Sequence, residues 1–363
     1  MTVDLERIKL IDQAAITYLS KHRDPRKAYT GHEESHLRNV AHLTELAAIA
    51  ANFPERDILV LRIPAWMHDF ERSNNQINEK LDTYLSAKAA LRFCKELSDK
   101  GIFEPTLSEK RAIAFSIRAN ERVPKFFITK PDPAKWSPGQ RILGALYIAD
   151  KAEANGVSVI ARRSAFVAGA RLQGEGADLP KFGLQAGRNE IDAILLEGAV
   201  RLVYINPQSV YPEAVQELIA PLYDVQRDWM HGLLHARGLS IQTYAELVLS
   251  TKNGQGRNYI EARKGLISPA TPEELAEKIT SIGGLTDEGI QNTRGDLADS
   301  AVEAVSYFSR NFRRPLGKLI EEWRPKGITA QQWAQSLKDY SSQQWYIRTR
   351  EELLTKSVRN ASG

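Results

Sequence analysis

Only seven histidines occur in the 363 residues: His22, His32, His36, His42, His68, His231 and His235. Their scarcity makes their placement informative. His68 and Asp69 follow directly on the apolar run 58–67, ILVLRIPAWM. Burying an imidazole or a carboxylate without partners costs several kcal/mol. A divalent cation would satisfy both. His36 shares a helical face with Val40, Leu43 and Ala47, so it points inward. Asp150 shares a face with Leu143, Leu146 and Tyr147 inside the apolar run 142–149. Taken singly, an inward His is more often a hydrogen-bonded core residue, and an inward Asp more often a cap or an ion-pair partner. Two inward His and two inward Asp on three segments suit metal chemistry better than four separate structural roles.

The order and setting of these residues resemble the HD-domain metal-dependent phosphohydrolase superfamily. That pattern is a His, a later His-Asp pair and a distant Asp. The chain reads GHEESHLRNV around His36, AWMHDFER around His68 and Asp69, and ALYIADKAEANG around Asp150. The resemblance covers roughly residues 20–165. It implies an all-α fold, an HD-domain helical bundle with a C-terminal helical extension, and a metal held by His36, His68, Asp69 and Asp150. Two imidazoles and two carboxylates suit Mn, Mg, Fe, Co, Ni or Zn, so the donor set does not choose the ion. Two-metal relatives recruit extra His between the His-Asp pair and the last Asp. None occurs between Asp69 and Asp150 here, where Tyr84 and Asn120 fall at roughly those places. One divalent ion is therefore expected, with Glu71 or Glu79 the carboxylates that would support a second. Asp69 and Glu71 are the expected catalytic groups, Glu71 as proton-transfer group or water orienter. His32, Arg72 and Lys151 are the expected substrate-binding residues.

These residues need helices to position them. Helical periodicity runs through Leu5–Leu19, Val40–Ala50, Glu55–His68, Ala87–Cys94, the region of Ile113 and Ile117, and Gln140–Ala154. The sequence 30–33 (TGHE) carries a capping-box pattern. Thr271 and Pro272 place an N-cap and a first helical position. The short run 202–205 (LVYI) is the best strand candidate, and strands are expected over less than about a tenth of the chain, below the usual share. A Gly-rich stretch, 172–188, reads as a flap, and 252–272 reads as a linker. The expected division is 1–255 for the hydrolase domain and 270–363 for a C-terminal helical accessory region.

Composition bounds the rest. Apolar residues make up 42% and charged residues 26%, which supports a buried core and argues against disorder. A single Cys excludes a disulfide scaffold and any four-thiolate metal site. No apolar run approaches the roughly 18 residues of a membrane span, and the first residues carry no secretion signal, so a cytoplasmic address is expected. Lys+Arg 49 against Asp+Glu 45 leaves +4, yet 109–188 holds fourteen Lys/Arg and seven Asp/Glu, a local +7 that suits an anionic ligand. The expected activity is hydrolysis of a nucleotide or similar small phosphorylated metabolite. A nuclease or phosphodiesterase acting on single-stranded nucleic acid is the less favoured reading, with the aromatic and basic residues of 309–314 as one contact. A ligand-sensing module with little catalysis is the third. No membrane partner is expected, and a homo-oligomer is compatible with the sequence.

Overall fold

The computed structural model describes residues 3–22, 34–71, 79–120, 126–129, 132–153, 157–172, 191, 194–195, 202, 213–249, 271–323 and 343–362. These residues form helices and turns, and no strand is present among them. The helices are α1 (Leu5–His22), α2 (Glu34–Ala50), α3 (Glu55–Met67), α4 (Glu79–Asp99), α5 (Leu107–Ala119), α6 (Pro138–Glu153), α7 (Val157–Leu172), α8 (Glu213–Arg237), α9 (Ile241–Leu249), α10 (Pro272–Ser281), α11 (Asp287–Gln291), α12 (Gly295–Arg310), α13 (Leu316–Glu322) and α14 (Gln343–Ser362). A single helical turn at Phe126–Thr129 precedes α6.

The all-α expectation holds. Of the strand candidate at 202–205 only Leu202 is described, and it is helical and buried; 203–205 lie outside the described residues. An apolar run of four does not separate strand from buried helix by periodicity. The expected cap at 30–33, the Gly-rich stretch from 173 and the linker up to 270 also lie outside the described residues. Thr271 and Pro272 do open α10, and Thr271 with Glu274 forms a reciprocal capping box.

At the centre lies α3. Every residue from Asp57 to Met67 is buried, because α1, α2, α4, α5 and α6 all pack against this helix. A helix that is apolar all round must be enclosed in this way. α2 lies against both α3 and α6, and α5 bridges α4 and α6. The three helices nearest the His-Asp pair are thus held by one another. From the C-terminal part, α12 packs on α7 and α8, and α14 packs on α2. The apolar core is continuous from Ile8 to Tyr346. Trp323 belongs to it, beside Trp229 at 5.2 Å between ring centroids. Among the described residues no helix is long and apolar enough to cross a membrane. Cys94 is buried, and burial pushes its thiol up to about 12, which leaves no thiolate at neutral pH.

Two histidines outside the central helices fasten α11. The Thr286 backbone N–H donates to His231 Nε2 at 3.2 Å, and His235 Nδ1 donates to the Ile290 carbonyl at 2.9 Å. Gly289 lies so close that a Cβ there would meet the His231 ring at 2.6 Å. His231 must be neutral at Nε2 to accept, and burial, with Arg227 adding to it, lowers its pKa to about 4. Because the folded value lies below the unfolded one, the unfolded chain binds more protons in between. Stability is therefore expected to fall as pH drops from about 6.5 toward 4. The ring is partly exposed, so the loss is discounted to roughly 1 kcal/mol. His231→Gln should remove that part of the pH dependence, as read from melting temperatures at pH 7 and pH 5. An unchanged slope would assign the acid sensitivity to other groups.

Candidate metal centre

The geometry at the end of α3 follows from how that helix stops. The last carbonyls of a helix lack internal donors. His68 stands at the C-cap, and its Nδ1 donates to the Ala65 carbonyl at 2.9 Å. A carbonyl only accepts, so the proton sits on Nδ1, and in the neutral ring Nε2 presents its lone pair. His36, on the first turn of α2, is fixed in the same sense. Its Nδ1 contacts Glu153 Oε2 at 2.6 Å, and Glu153 in turn accepts from Arg162 Nη1 at 2.7 Å. Each imidazole is thus held through Nδ1, and each directs Nε2 into one shared space. A carboxylate or carbonyl behind a ligating His is the usual support of a metal site.

Two carboxylates close that space. Asp69 Oδ2 lies 3.5 Å from His36 Nε2 and 3.4 Å from His68 Nε2. Asp150 Oδ1 lies 3.7 and 3.5 Å from the same two nitrogens. These separations exceed an N–H···O hydrogen bond of about 2.7–3.2 Å. They match four donors placed about 2.1 Å from a common tetrahedral centre, which stand roughly 3.4 Å apart. All four residues are buried, and one donor atom from each lies within 4.8 Å of the others. The donor set and its spacing fit a divalent ion.

Asp150 is arranged to offer only one oxygen. Its Oδ2 accepts from Asn120 Nδ2 at 2.9 Å and from Lys151 Nζ at 2.6 Å. Although burial opposes the charge, Lys151 and His68 hold this carboxyl well below the usual range. Burial likewise opposes the charge on Glu153, but His36 and Arg162 hold it low. Burial would lower the His68 imidazole, but Asp69 and Asp150 push it up to about 10. The cluster calls for positive charge at the point between its donors.

Of the expected substrate-binding residues, only Lys151 lies among the described residues. Lys151 is half-buried beside Asp150, with its ammonium 5.6 Å from the centre of the Tyr147 ring. His32 and Arg72 lie outside the described residues, as does the Glu79 side chain. Glu71 is half-buried, and its backbone N–H donates to Ser86 Oγ at 3.0 Å. Of the two positions where extra ligands would fall, Asn120 is at the site, while Tyr84 is exposed on α4. Glu153 and its partner Arg162 were not singled out by sequence as a unit. The available signal was the spacing of Glu153 three residues beyond Asp150, which places both on one helical face.

Comparison with family models, with curated proteins and with solved structures finds no match to this chain.

Glu153 gives the site a measurable dependence on residues that do not touch the ion position. Glu153→Ala removes the acceptor that orients His36 through Nδ1 and fixes its tautomer. Divalent affinity should fall roughly 10- to 100-fold. Titration of the purified protein with Mn²⁺ checks this, and an affinity within twofold of the parent would show that Glu153 does not support His36.

Proposed function

We propose that this chain is a metal-dependent phosphohydrolase acting on a nucleotide or similar small phosphorylated metabolite. The observation that carries the reading is the convergence of His36 Nε2, His68 Nε2, Asp69 Oδ2 and Asp150 Oδ1 at metal-ligand spacing, with a lysine ammonium beside one of them. A bound divalent ion would supply Lewis-acid charge and activation of water.

The surrounding charges support an anionic substrate. With neutral imidazoles, Asp69, Asp150 and Glu153 contribute −3, and Lys151 and Arg162 contribute +2, a net −1. Two positive charges from the ion turn this to +1. Arg162 pairs with Glu153 and Lys151 with Asp150, and Lys151, beside a candidate donor, is the proposed cation for a phosphoryl oxygen. Its role is a charge-assisted hydrogen bond to that oxygen. Glu71, two residues beyond Asp69, is the proposed proton-transfer group.

The test is a screen of phosphorylated metabolites with Mn²⁺, Mg²⁺, Co²⁺, Ni²⁺, Zn²⁺ or Fe²⁺ supplied separately. Single-stranded DNA and RNA are included. Metal-dependent phosphate release from a small substrate, lost on chelation, is the expected result. Cleavage of strands alone would move the activity to the nuclease reading. Stoichiometric metal with no hydrolysis of any substrate would overturn the enzymatic reading in favour of ligand sensing.

A further inference from the structure

The side chain of Asn120 does two things in this site, and only one of them is explained by holding Asp150. Asn120 caps the C-terminus of α5 and is 5% exposed. Its Nδ2 donates to Asp150 Oδ2 at 2.9 Å. A carboxylate accepts and does not donate, so the amide cannot be turned over without setting oxygen against oxygen. The other end of the amide, Oδ1, is therefore fixed as a buried acceptor. Among the described residues it receives no hydrogen bond. A buried acceptor left without a donor is destabilising, because its lost hydration is not replaced. Oδ1 sits about 2.2 Å from Nδ2 by amide geometry, on the same side chain that meets Asp150.

We propose that Asn120 Oδ1 is a specificity-determining acceptor that receives a hydrogen bond from an O–H group of the oxyanion bound in the metal site. This rests on the phosphohydrolase reading and deepens it, since it selects a phosphoryl group that carries a hydroxyl. A second cation at Oδ1 is the competing explanation. The Lys151 ammonium argues against it: Nζ and Asn120 Nδ2 converge on the same carboxylate oxygen at 2.6 and 2.9 Å. A divalent ion on the neighbouring amide oxygen would face that ammonium at short range. A neutral O–H donor meets no such repulsion.

Phosphate and sulfate provide the test, because they match in shape and differ in protons. At pH 6.5 phosphate carries at least one O–H, whereas sulfate carries none. A buried acceptor rejects the anion that cannot donate to it, leaving itself unpaired. Binding of inorganic phosphate and of sulfate is measured by calorimetry on the full chain, with Mn²⁺ held saturating for each variant. The parent should bind phosphate at least tenfold more tightly than sulfate. Asn120→Ala should bring the ratio to within about threefold of unity, and Asn120→Ser, which keeps an acceptor oxygen, should restore part of it. A merely structural role would weaken both anions alike and leave the ratio unchanged, which would overturn the proposal. So would a parent that binds both anions equally, or a second equivalent of Mn²⁺ that disappears in Asn120→Ala. A Mn²⁺-loaded parent that binds neither anion would instead overturn the phosphohydrolase reading itself. If Asn120→Ala does not fold, Asn120→Ser alone decides: a ratio equal to the parent's or intermediate supports the acceptor. A ratio of unity with Mn²⁺ bound removes it.

Discussion

Asp69→Ala is expected to bind no stoichiometric divalent ion and to lose at least about 10³-fold of any metal-dependent turnover, while keeping its fold. Asp69 Oδ2 contacts the shared space from 3.4 and 3.5 Å off the two imidazole nitrogens. Its loss removes one of four donors and half of the formal ligand charge. A site left with His36, His68 and Asp150 would hold the ion more weakly, and with the ion goes the positive charge that would lower the pKa of a bound water. The fold should survive because Asp69 is one of two carboxylates facing the same imidazoles, and Asp150 remains beside His68 when Asp69 is gone. The Asp69 charge opposes that of Asp150, which lies in the same buried cluster. Melting in the presence of a chelator should therefore match or slightly exceed the parent. With Mn²⁺ the two should part. Ligand at 100 times its dissociation constant adds about 2.7 kcal/mol to a protein that binds it only when folded, and the variant should show no such gain. Differential scanning fluorimetry with and without chelator reads both halves. An Asp69→Ala protein that retains one equivalent of Mn²⁺ at parental affinity would show that the ion sits elsewhere.

The four candidate donors were legible because each breaks an apolar periodicity. His36, His68, Asp69 and Asp150 fall on stripes whose other members are core residues, and polar groups on such stripes need partners. The helices that carry them were legible for the same reason, and the N-cap at Thr271 with Pro272 after it gave one further helix start to the residue. What supports the donors was less visible. Glu153 sits in the polar run 150–154 (DKAEA), where a charged residue reads as helix surface, and its contacts are with His36, 117 residues earlier, and with Arg162 across a helix junction. Asn120 stood out only as occupying a position where another ligand was expected. Its bond to Asp150 spans 30 residues and two helices. The Trp323 side chain meets Trp229, 94 residues earlier, in the same way. Local pattern specifies which face a residue occupies. It does not specify which distant residue meets it there.

Arg62→Leu is expected to destabilise the protein by roughly 3–5 kcal/mol, the cost typical of removing one partner from a buried ion pair. Arg62 lies inside the apolar run of α3 and is fully buried. Its Nε donates to Asp12 Oδ1 at 3.0 Å, and its Nη1 donates to the Ala41 carbonyl at 2.6 Å and to Glu45 Oε2 at 3.0 Å. Asp12 also accepts from Trp66 Nε1 at 2.7 Å, and Glu45 also accepts from the Tyr346 hydroxyl of α14. One guanidinium thus ties α1, α2 and α3 together and reaches the C-terminal helix through Glu45. Leucine would fill much of the volume but leave Glu45 buried with only Arg350, 3.8 Å away, as a cation. The pH dependence identifies the cause. Burial raises the Glu45 carboxyl above its ordinary range even with Arg62 present, Arg62 being the main group opposing that rise. Without Arg62 the folded chain should take up a proton at Glu45 more readily than the unfolded chain does. A group with a raised folded pKa contributes stability that is lost as pH rises, so the deficit of Arg62→Leu should shrink between pH 7 and pH 5. Glu45→Gln added to Arg62→Leu should recover part of the loss at pH 7, because the stranded charge is gone. Urea unfolding of the parent, both single variants and the double variant completes the cycle. Strict additivity would mean that the two side chains do not stabilise each other. Because α2 also carries His36 and α3 leads into His68, a real coupling here also holds in register the ends of those helices that carry the candidate donors.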